Sequence, residues 1–184
     1  MKNRIIQAFI EETRYNGIKF TMDDLAKRLG ISKRTLYENF SSKLEILEAI
    51  IDLTFSEHEE RCRAIREDET LNLEQKIRQT IGIILKHYEF YDLRILEQLK
   101  RYYPNQWERV DREMNRWDDL ERLLKEGMET GLVKQQNLDL LVKMILSVVN
   151  ISLDQKFFYD QSLSANDAVD AMSELLLNGF IENE

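Results

Sequence analysis

The side chains best suited to chemistry lie within a short segment, residues 33–39. They either carry a positive charge or donate a hydrogen bond: Lys33, Arg34, Thr35, Tyr37 and Asn39. Near the start of a helix, arginine and lysine can reach the acceptor atoms of guanine, and threonine offers a hydroxyl and a methyl group. Tyrosine can donate to a phosphate without carrying a full charge. The pattern indicates a surface that reads DNA.

Two helices and their caps must position these side chains. Thr21 followed by Asp24 has the form of a capping box, which predicts a helix that starts there and ends at Gly30. Ser32 is well placed to cap a third helix that runs to about Glu38. The third helix, which carries residues 33–39, would then follow the second after a turn of only a few residues.

The turn between these two helices has the residues that a helix-turn-helix unit needs. Ala26 is small where the two backbones approach, and Gly30 can adopt the positive φ of a tight turn. Leu36 is expected to face the same crossing, and both Leu36 and Phe40 are expected to face inward. We therefore predict a DNA-binding helix-turn-helix, with an ordinary helical hairpin as the alternative.

A fourth helix is predicted to start at a second capping box, made by Ser42 and Glu45. Lys43 falls in its first turn, where a cation is unfavourable because free N–H groups already make that end positive. A bound phosphate would resolve this conflict. Lys43 is accordingly predicted to contact the DNA backbone, and the alternative is a solvated side chain.

Charge is distributed unevenly along the 184 residues, whose net charge is -8. Residues 1–44 hold nine Lys or Arg against five Asp or Glu, and the remainder holds 17 against 29. A basic head on an acidic chain favours a polyanionic partner for the head. Because the chain has one proline, six glycines and many strong helix formers, we predict an all-α fold of about nine helices.

Apolar periodicity and caps predict the remaining helices. Their approximate ranges are 3–15, 42–66, 72–90, 92–102, 104–130, 138–159 and 165–181. We expect a helix-turn-helix domain over residues 1–45 and a second helical domain over residues 46–184.

Catalytic and metal chemistry find little support. The only histidines, His58 and His87, lie 29 positions apart, so neither a metal nor another cofactor is predicted. No nucleophile triad or Gly-rich phosphate loop is recognisable, which argues against an enzyme. A single cysteine and the lack of a signal-peptide pattern or a membrane-spanning apolar run favour the cytoplasm.

The stretch FTMDDLAKRLGISKRTLYENFSSKLEIL resembles the DNA-binding signature of TetR-family transcriptional regulators, including its Leu-Tyr-x-x-Phe run and the lysine three residues after the Phe. The resemblance covers roughly residues 3–50; beyond it, only the order and lengths of the helices are similar. It implies backbone contacts by Thr21, Tyr37, Asn39 and Lys43, with Lys33, Arg34 and Thr35 closest to base edges, and we include the cap Ser32 in this set. Many members have glycine at position 34, so Arg34 is expected to add its own base preference.

The resemblance also implies a homodimer formed by the last two helices, 138–159 and 165–181. Their apolar residues cover more surface than one core stripe needs. The predicted interface consists of Leu141, Ile145, Val148, Val149, Leu175, Leu176 and Phe180. The alternative is that both helices are buried within their own monomer.

An inducer pocket among the middle helices is the last expectation that the resemblance implies. The aromatic-rich candidates are His87, Tyr91, Tyr103, Trp107, Trp117 and Phe158. Aromatic residues at helical spacing also serve as plain core, which is the alternative here.

Together these features predict a ligand-responsive homodimeric repressor. Its partners would be a pseudo-palindromic double-stranded DNA operator, a second copy of itself and a small-molecule inducer of unknown identity. Two other classes remain open: a helical protein-interaction module with the same fold that does not bind DNA, and, more remotely, an enzyme built in a helical bundle. Activation also remains open, since it depends on where the operator lies.

Overall fold

The computed structural model describes residues 1–83, 88–151, 160 and 164–181. Its α-helices are α1 (Lys2–Asn16), α2 (Met22–Leu29), α3 (Lys33–Asn39), α4 (Lys43–Glu67), α5 (Leu73–Ile81), α6 (Leu93–Tyr102), α7 (Pro104–Met114), α8 (Asp118–Thr130), α9 (Leu138–Ile151) and α10 (Ala165–Phe180). A 3-10 turn covers Tyr88–Tyr91, and Val133 and Ile181 form an isolated antiparallel bridge. The predicted all-α fold is confirmed. Of the helices described, none has both the length and the apolarity to cross a membrane.

The chain folds as two compact units. The first comprises Met1–Ser56 and Leu85–Glu113, and the second comprises Glu57–Ile84 and Met114–Glu184. The boundary predicted between a DNA-binding domain (1–45) and a second domain (46–184) concerns function, which this structural division does not test, so it stays a prediction.

Local capping chemistry starts several helices where the sequence predicts. Thr21 begins α2 with a complete capping box, and Ser32 begins α3 by accepting the Thr35 N–H. At α4 the Ser42 hydroxyl accepts the Glu45 N–H at 3.1 Å. The Glu45 carboxylate, however, accepts from the Ser41 hydroxyl at 2.7 Å and from the Ser41 N–H, so the second half of the predicted box is wrong.

The helix predicted over residues 72–90 is shorter than expected. Asn72 and Gln75 form the predicted capping box, but α5 ends at Ile81, followed by Gly82 with ψ 0°. Glycine is among the weakest helix formers, which favours an end at this point. Residues 84–87 lie outside the described part of the chain.

The helix predicted over residues 104–130 is in fact two helices, α7 and α8. The break falls at Trp117, whose φ of -129° and ψ of 43° are not helical. Its indole N–H donates to the Met114 carbonyl at 3.0 Å and so satisfies an acceptor at the end of α7. Asp118 and Asp119 then lie in the first turn of α8, where negative charge is favourable.

The core of the first unit fixes the helix-turn-helix. The Phe9 ring on α1 lies edge-on to Phe20 at 5.0 Å and 6.3 Å from Phe90. Leu25 and Leu36 are fully buried. Helices α2 and α3 are therefore positioned by hydrophobic contacts on their inner faces. The outer face of α3 is not needed for this packing and can contact a ligand.

The second unit has its own core, to which α5, α8, α9 and α10 contribute. The buried members of this cluster are Ile77, Ile81, Leu120, Leu123, Leu124, Met128, Val133, Leu141, Ile145, Leu177, Phe180 and Ile181.

The connection from α1 to α2 requires glycine at position 17. Gly17 has φ 73° and ψ -176°, a backbone conformation that residues other than glycine rarely adopt. An added Cβ would also lie 2.5 Å from Gln98 Oε1. That oxygen accepts the Ile18 N–H at 2.8 Å, so it has little freedom to move.

Gly17→Ala should therefore lower the free energy of unfolding by about 1–3 kcal/mol. Urea denaturation would measure this as a lower midpoint with an unchanged slope. Gly179→Ala is the matched control, because Gly179 lies on α10 with nothing within 4 Å of its added Cβ. Equal stability of the Gly17→Ala variant and the unmodified chain would contradict the conformational argument.

Candidate nucleic-acid interface

The turn between α2 and α3 is a Schellman-type reversal centred on Gly30. Gly30 is left-handed, with φ 64° and ψ 32°. The Gly30 N–H donates to the Lys27 carbonyl and the Ile31 N–H to the Ala26 carbonyl, both at 3.1 Å. Ala26 is buried, as expected for a small residue at the helix crossing. The predicted helix-turn-helix geometry is confirmed.

Helix α3 has one buried and one exposed face. Leu36 and Phe40 are buried, as predicted. The opposite face exposes Lys33, Arg34, Tyr37 and Glu38, with Thr35 and Asn39 half-buried beside them. Most of the polar side chains predicted to read DNA therefore share one accessible surface.

Hydrogen bonds within α3 hold part of this surface in place. The Ser32 hydroxyl accepts the Thr35 N–H at 3.0 Å and shares a hydrogen bond of 2.8 Å with the Thr35 hydroxyl. The Asn39 amide donates to the Thr35 carbonyl at 2.8 Å. Orienting side chains before a ligand arrives lowers the entropy lost on binding.

Both cations of α3 already have carboxylate partners. Lys33 Nζ contacts Asp23 Oδ2 on α2, and Arg34 Nε lies 2.9 Å from Glu38 Oε1 one turn along α3. The hydrogen bond that the Lys33 ammonium donates to the Asp23 carboxylate raises the pKa of Lys33. The i,i+4 spacing of Arg34 and Glu38 could have revealed their pairing in the sequence. The pairing of Asp23 with Lys33 depends on how α2 and α3 cross, so the sequence analysis missed it.

Thr21 is exposed at the start of α2. Its hydroxyl donates to Asp24 Oδ2 at 2.7 Å and accepts the Asp24 N–H at 3.2 Å. The Thr21 hydrogen bonds lower the pKa of the Asp24 carboxyl. Thr21 is thus a structural cap whose one hydroxyl hydrogen is donated to Asp24, so a phosphate contact by this hydroxyl would require that hydrogen bond to break and stays a prediction.

The Lys43 ammonium has partners within the protein, so no bound phosphate is required to offset its unfavourable place in the first turn of α4. Its ammonium donates to the backbone carbonyls of Ile18 and Phe20 and lies 4.0 Å from the centroid of the Phe20 ring. Burial lowers the pKa of Lys43 to about 8. The carbonyls and the aromatic face offset the unfavourable helix position, and a phosphate contact stays a prediction.

Lys43 should make DNA binding sensitive to alkaline pH. A nearby phosphate raises the pKa of an ammonium, so binding takes up a proton once the pH exceeds the free-protein pKa of about 8. Affinity should be level below this pKa and fall above it, by up to about tenfold per pH unit for each subunit bound. Anisotropy of a labelled DNA site at constant ionic strength would measure the profile. Lys43→Arg keeps its charge and should flatten it; identical profiles for both proteins would contradict the contact.

The predicted ligand-binding residues are divided between the two units. Tyr91 is fully buried in the first unit with Phe55 edge-on at 5.9 Å, and Tyr103 and Trp107 belong to the same unit. Trp117 belongs to the second unit, where it lines a cavity of about 200 Å³. His87 and Phe158 lie outside the described residues.

The second unit also has polar cavity residues that sequence reasoning missed. An adjoining cavity of about 330 Å³ shares Cys62, Arg66, Asp119 and Arg122 with the one at Trp117. The Asp119 carboxylate lies 2.7 Å from Arg66 Nη1 and 2.5 Å from Arg122 Nη2. Arg66 and Asp119 are 53 positions apart, so no local pattern could have linked them.

Two cavity side chains are electrically neutral near pH 7. Burial lowers the pKa of His58 and raises the pKa of the Cys62 thiol to about 11. His58 Nδ1 is buried without a hydrogen-bond partner among the described residues. The lining of the two cavities therefore combines these neutral side chains with arginines and with carboxylates such as Asp119.

Helices α9 and α10 divide their apolar residues between the core and the surface. Leu141, Ile145 and Phe180, all predicted at the dimer interface, are buried in the core of the second unit. The most exposed apolar side chains described on these helices are Leu175 at 75%, which is in the predicted set, and Leu140 at 60% and Met144 at 50%, which are not. The remaining predicted residues, Val148, Val149 and Leu176, are half-buried. Adjacent helical residues point about 100° apart, so neighbours of core residues form the outward face.

Comparison with known proteins matches the segment that contains this candidate interface. Residues 5–50 match the family model described as bacterial regulatory proteins, tetR family. The chain is 29% identical over 185 residues to the HTH-type transcriptional regulator YvaF of Bacillus subtilis (strain 168), covering 100% of this chain and 97% of that protein.

Two solved structures share the fold. The TetR-family regulator PfmR from Thermus thermophilus has a TM-score of 0.76 and 24% identity, covering 95% of this chain and 97% of its own. The regulator FadR from Bacillus subtilis, in complex with stearoyl-CoA, has a TM-score of 0.64 and 22% identity, covering 97% and 99%. With the matched N-terminal domain, the geometry defines a helix-turn-helix DNA-binding transcriptional regulator. Residues 5–50 of the chain match the tetR family of bacterial regulatory proteins, and its whole length is similar in sequence to an HTH-type transcriptional regulator.

Proposed function

We propose that the chain is a homodimeric repressor that reads a pseudo-palindromic operator with α3. The supporting observation is the polar face of α3, which is exposed opposite the buried Leu36 and Phe40. Two copies of α3 would enter successive major grooves about 34–36 Å apart, or a multiple of that distance. Residues 1–45 would provide the DNA-binding function and residues 46–184 the dimer and the ligand site.

Each predicted DNA-binding residue has a proposed role. Lys33, Arg34 and Thr35 would contact base edges; Thr21, Tyr37, Asn39 and Lys43 would contact the backbone; and Ser32 would fix the start of α3. Such contacts divide the work, because base contacts give specificity and backbone contacts give register.

The test is a search for the operator. The purified protein would be titrated against genomic fragments and the DNA upstream of its own gene, by fluorescence anisotropy at two salt concentrations. With three or four phosphates contacted per subunit, log K against log salt should have a slope on the order of -6. A footprint of two patches one helical turn apart is expected. Weak binding, equal for all sequences, would contradict operator recognition and favour the protein-interaction module.

We propose that the partner-facing surface of the dimer is the exposed apolar face of α9 and α10. Its most exposed members are Leu175, which is in the predicted set, and Leu140 and Met144, which are not. Large apolar side chains at this exposure favour burial by a second protein surface. A second copy of the chain is the occupant that a two-fold operator requires.

Ligand response is the finer part of the proposal. We propose that the inducer occupies the cavities beside Trp117 in the second unit, lined by Cys62, Arg66 and Asp119. Helix α4 is continuous over Lys43–Glu67, so it joins the residues at Cys62 and Arg66 to Lys43 through one element. A hundredfold weakening of DNA binding needs only about 2.7 kcal/mol of differential ligand affinity.

Trp117 should report ligand binding by its fluorescence. The chain has two tryptophans, so Trp107→Phe leaves Trp117 as the sole emitter. Stearoyl-CoA is the first probe, since FadR was solved with it. We expect a saturable change in emission that Trp117→Phe, which retains Trp107, does not show. A signal confined to Trp107 would place the ligand elsewhere.

A further inference from the structure

The cations at the start of α3 are paired with carboxylates of the same chain. Lys33 is paired with Asp23 across the α2–α3 turn, and Arg34 Nε is 2.9 Å from Glu38 Oε1. All four side chains remain solvent-accessible, at 64% and 43% for the first pair and 88% and 57% for the second. The pairs are therefore open to competition from an arriving ligand.

We propose that Asp23 and Glu38 are specificity-determining residues, which hold the base-reading cations in ion pairs that only operator sequence can replace in full. This inference rests on the proposed role of α3 in operator recognition. It assigns a function to two carboxylates that would otherwise merely repel DNA.

The physical argument compares the two kinds of DNA. On arbitrary DNA, Lys33 and Arg34 must leave their carboxylates for phosphates, and Asp23 and Glu38 are left near negative charge. At a matching operator, guanine acceptors can take over the cations in fixed geometry. Glu38 can also accept from a cytosine amino group there. Breaking the pairs is thus compensated more fully on the operator, where base acceptors and a cytosine amino group add to the phosphate contacts, than on other sequences.

The expected size of the effect follows from the strength of exposed ion pairs. Each pair changes an equilibrium constant by roughly 1.5- to 5-fold, and two subunits square that factor to about 2- to 25-fold. Asp23→Asn and Glu38→Gln should each raise the affinity for non-operator DNA by this factor. Their effect on operator affinity should be smaller, so the ratio of operator to non-operator affinity falls.

The test measures both affinities by anisotropy at one ionic strength for the full-length protein. Glu11→Gln is the matched control, because this substitution removes the same charge. Glu11 is an exposed carboxylate on α1 whose partner, Arg28 at 2.9 Å, lies on α2. If the inference holds, Glu11→Gln changes both affinities equally and leaves their ratio unchanged. Melting temperatures of the variants would verify that the fold is intact.

A double-mutant cycle separates pairing from general repulsion. In a Lys33→Gln background, Asp23→Asn should raise non-operator affinity by less than it does alone, because no cation is left to release. An equal gain in both backgrounds, or an unchanged ratio in Asp23→Asn and Glu38→Gln, would overturn the inference. If the unmodified protein showed no sequence preference at all, the proposed operator recognition itself would fail instead.

Discussion

Lys33→Ala combined with Tyr37→Ala is expected to weaken operator binding by at least a hundredfold while leaving the fold and the dimer intact. Loss of one base contact costs about 1–3 kcal/mol, and a dimer loses each contact twice. Tyr37 is 48% exposed and Lys33 64%, so neither side chain supports the core. The loss should therefore be confined to DNA recognition.

Each single variant has its own signature. Lys33→Ala should relax base preference and reduce the salt dependence of binding, because a cation is lost from each subunit. Tyr37→Phe removes only a hydroxyl, so it should weaken binding to all sequences alike with an unchanged salt slope. Anisotropy titrations at several salt concentrations would distinguish these outcomes.

An exposed tyrosine elsewhere in the same unit provides the control. Tyr15 on α1 is 69% exposed and is not among the predicted DNA contacts, so Tyr15→Ala should leave operator affinity unchanged. If the Lys33→Ala/Tyr37→Ala protein retained full operator affinity, α3 would not be the recognition helix. The protein-interaction alternative would then predict that dimerisation persists without any sequence-specific DNA complex.

The sequence predicts the helix-turn-helix well because its determinants are local. The capping box at Thr21, the left-handed Gly30 and the buried Leu36 each act within a few residues of their own position. Helix ends are less predictable where a single glycine or a side-chain hydrogen bond interrupts a continuing apolar pattern. Gly82 and Trp117 are the two examples.

Contacts between distant residues could not be predicted in the same way. The partners of Lys43 are backbone carbonyls, at Ile18 and Phe20, which have no sequence signature. Similarly, the choice between Leu140 and Leu141 as the core residue of α9 depends on where α8 and α10 lie, and both residues fit an amphipathic pattern. The sequence therefore indicated that α9 and α10 had apolar residues to spare, but three of the residues it proposed for the interface, Leu141, Ile145 and Phe180, are buried in the core of the second unit.

Leu175→Lys should dissociate the proposed dimer. Leu175 is 75% exposed in the isolated chain, so lysine at this position costs the monomer little. An unpaired ammonium buried between two subunits costs several kcal/mol, which corresponds to at least a hundredfold rise in the dimer dissociation constant. Sedimentation velocity over a range of protein concentrations would measure it. Operator binding should be lost in parallel, because one helix-turn-helix reads only half of the site.

A core substitution gives the contrasting result. Leu177 lies two positions further along α10 and is 1% exposed, so Leu177→Ala should lower the free energy of unfolding by about 2–5 kcal/mol. Unlike Leu175→Lys, Leu177→Ala should not convert the dimer into a stable, folded monomer. An undiminished dimer in Leu175→Lys would contradict the proposed interface and would direct the search to another face of the second unit.

Charge complementation would locate Leu175 within the interface. Leu175→Glu should also be monomeric, for the same reason as Leu175→Lys. Mixing the two variants should restore dimers if a two-fold axis brings each residue 175 close to its copy, since the buried charges are then paired. Recovered heterodimers should regain operator affinity, because both helix-turn-helix units of the pair are unchanged. Failure to recover would mean that Leu175 faces a different part of the partner, and Leu140→Lys with Leu175→Glu would be the next pair to mix.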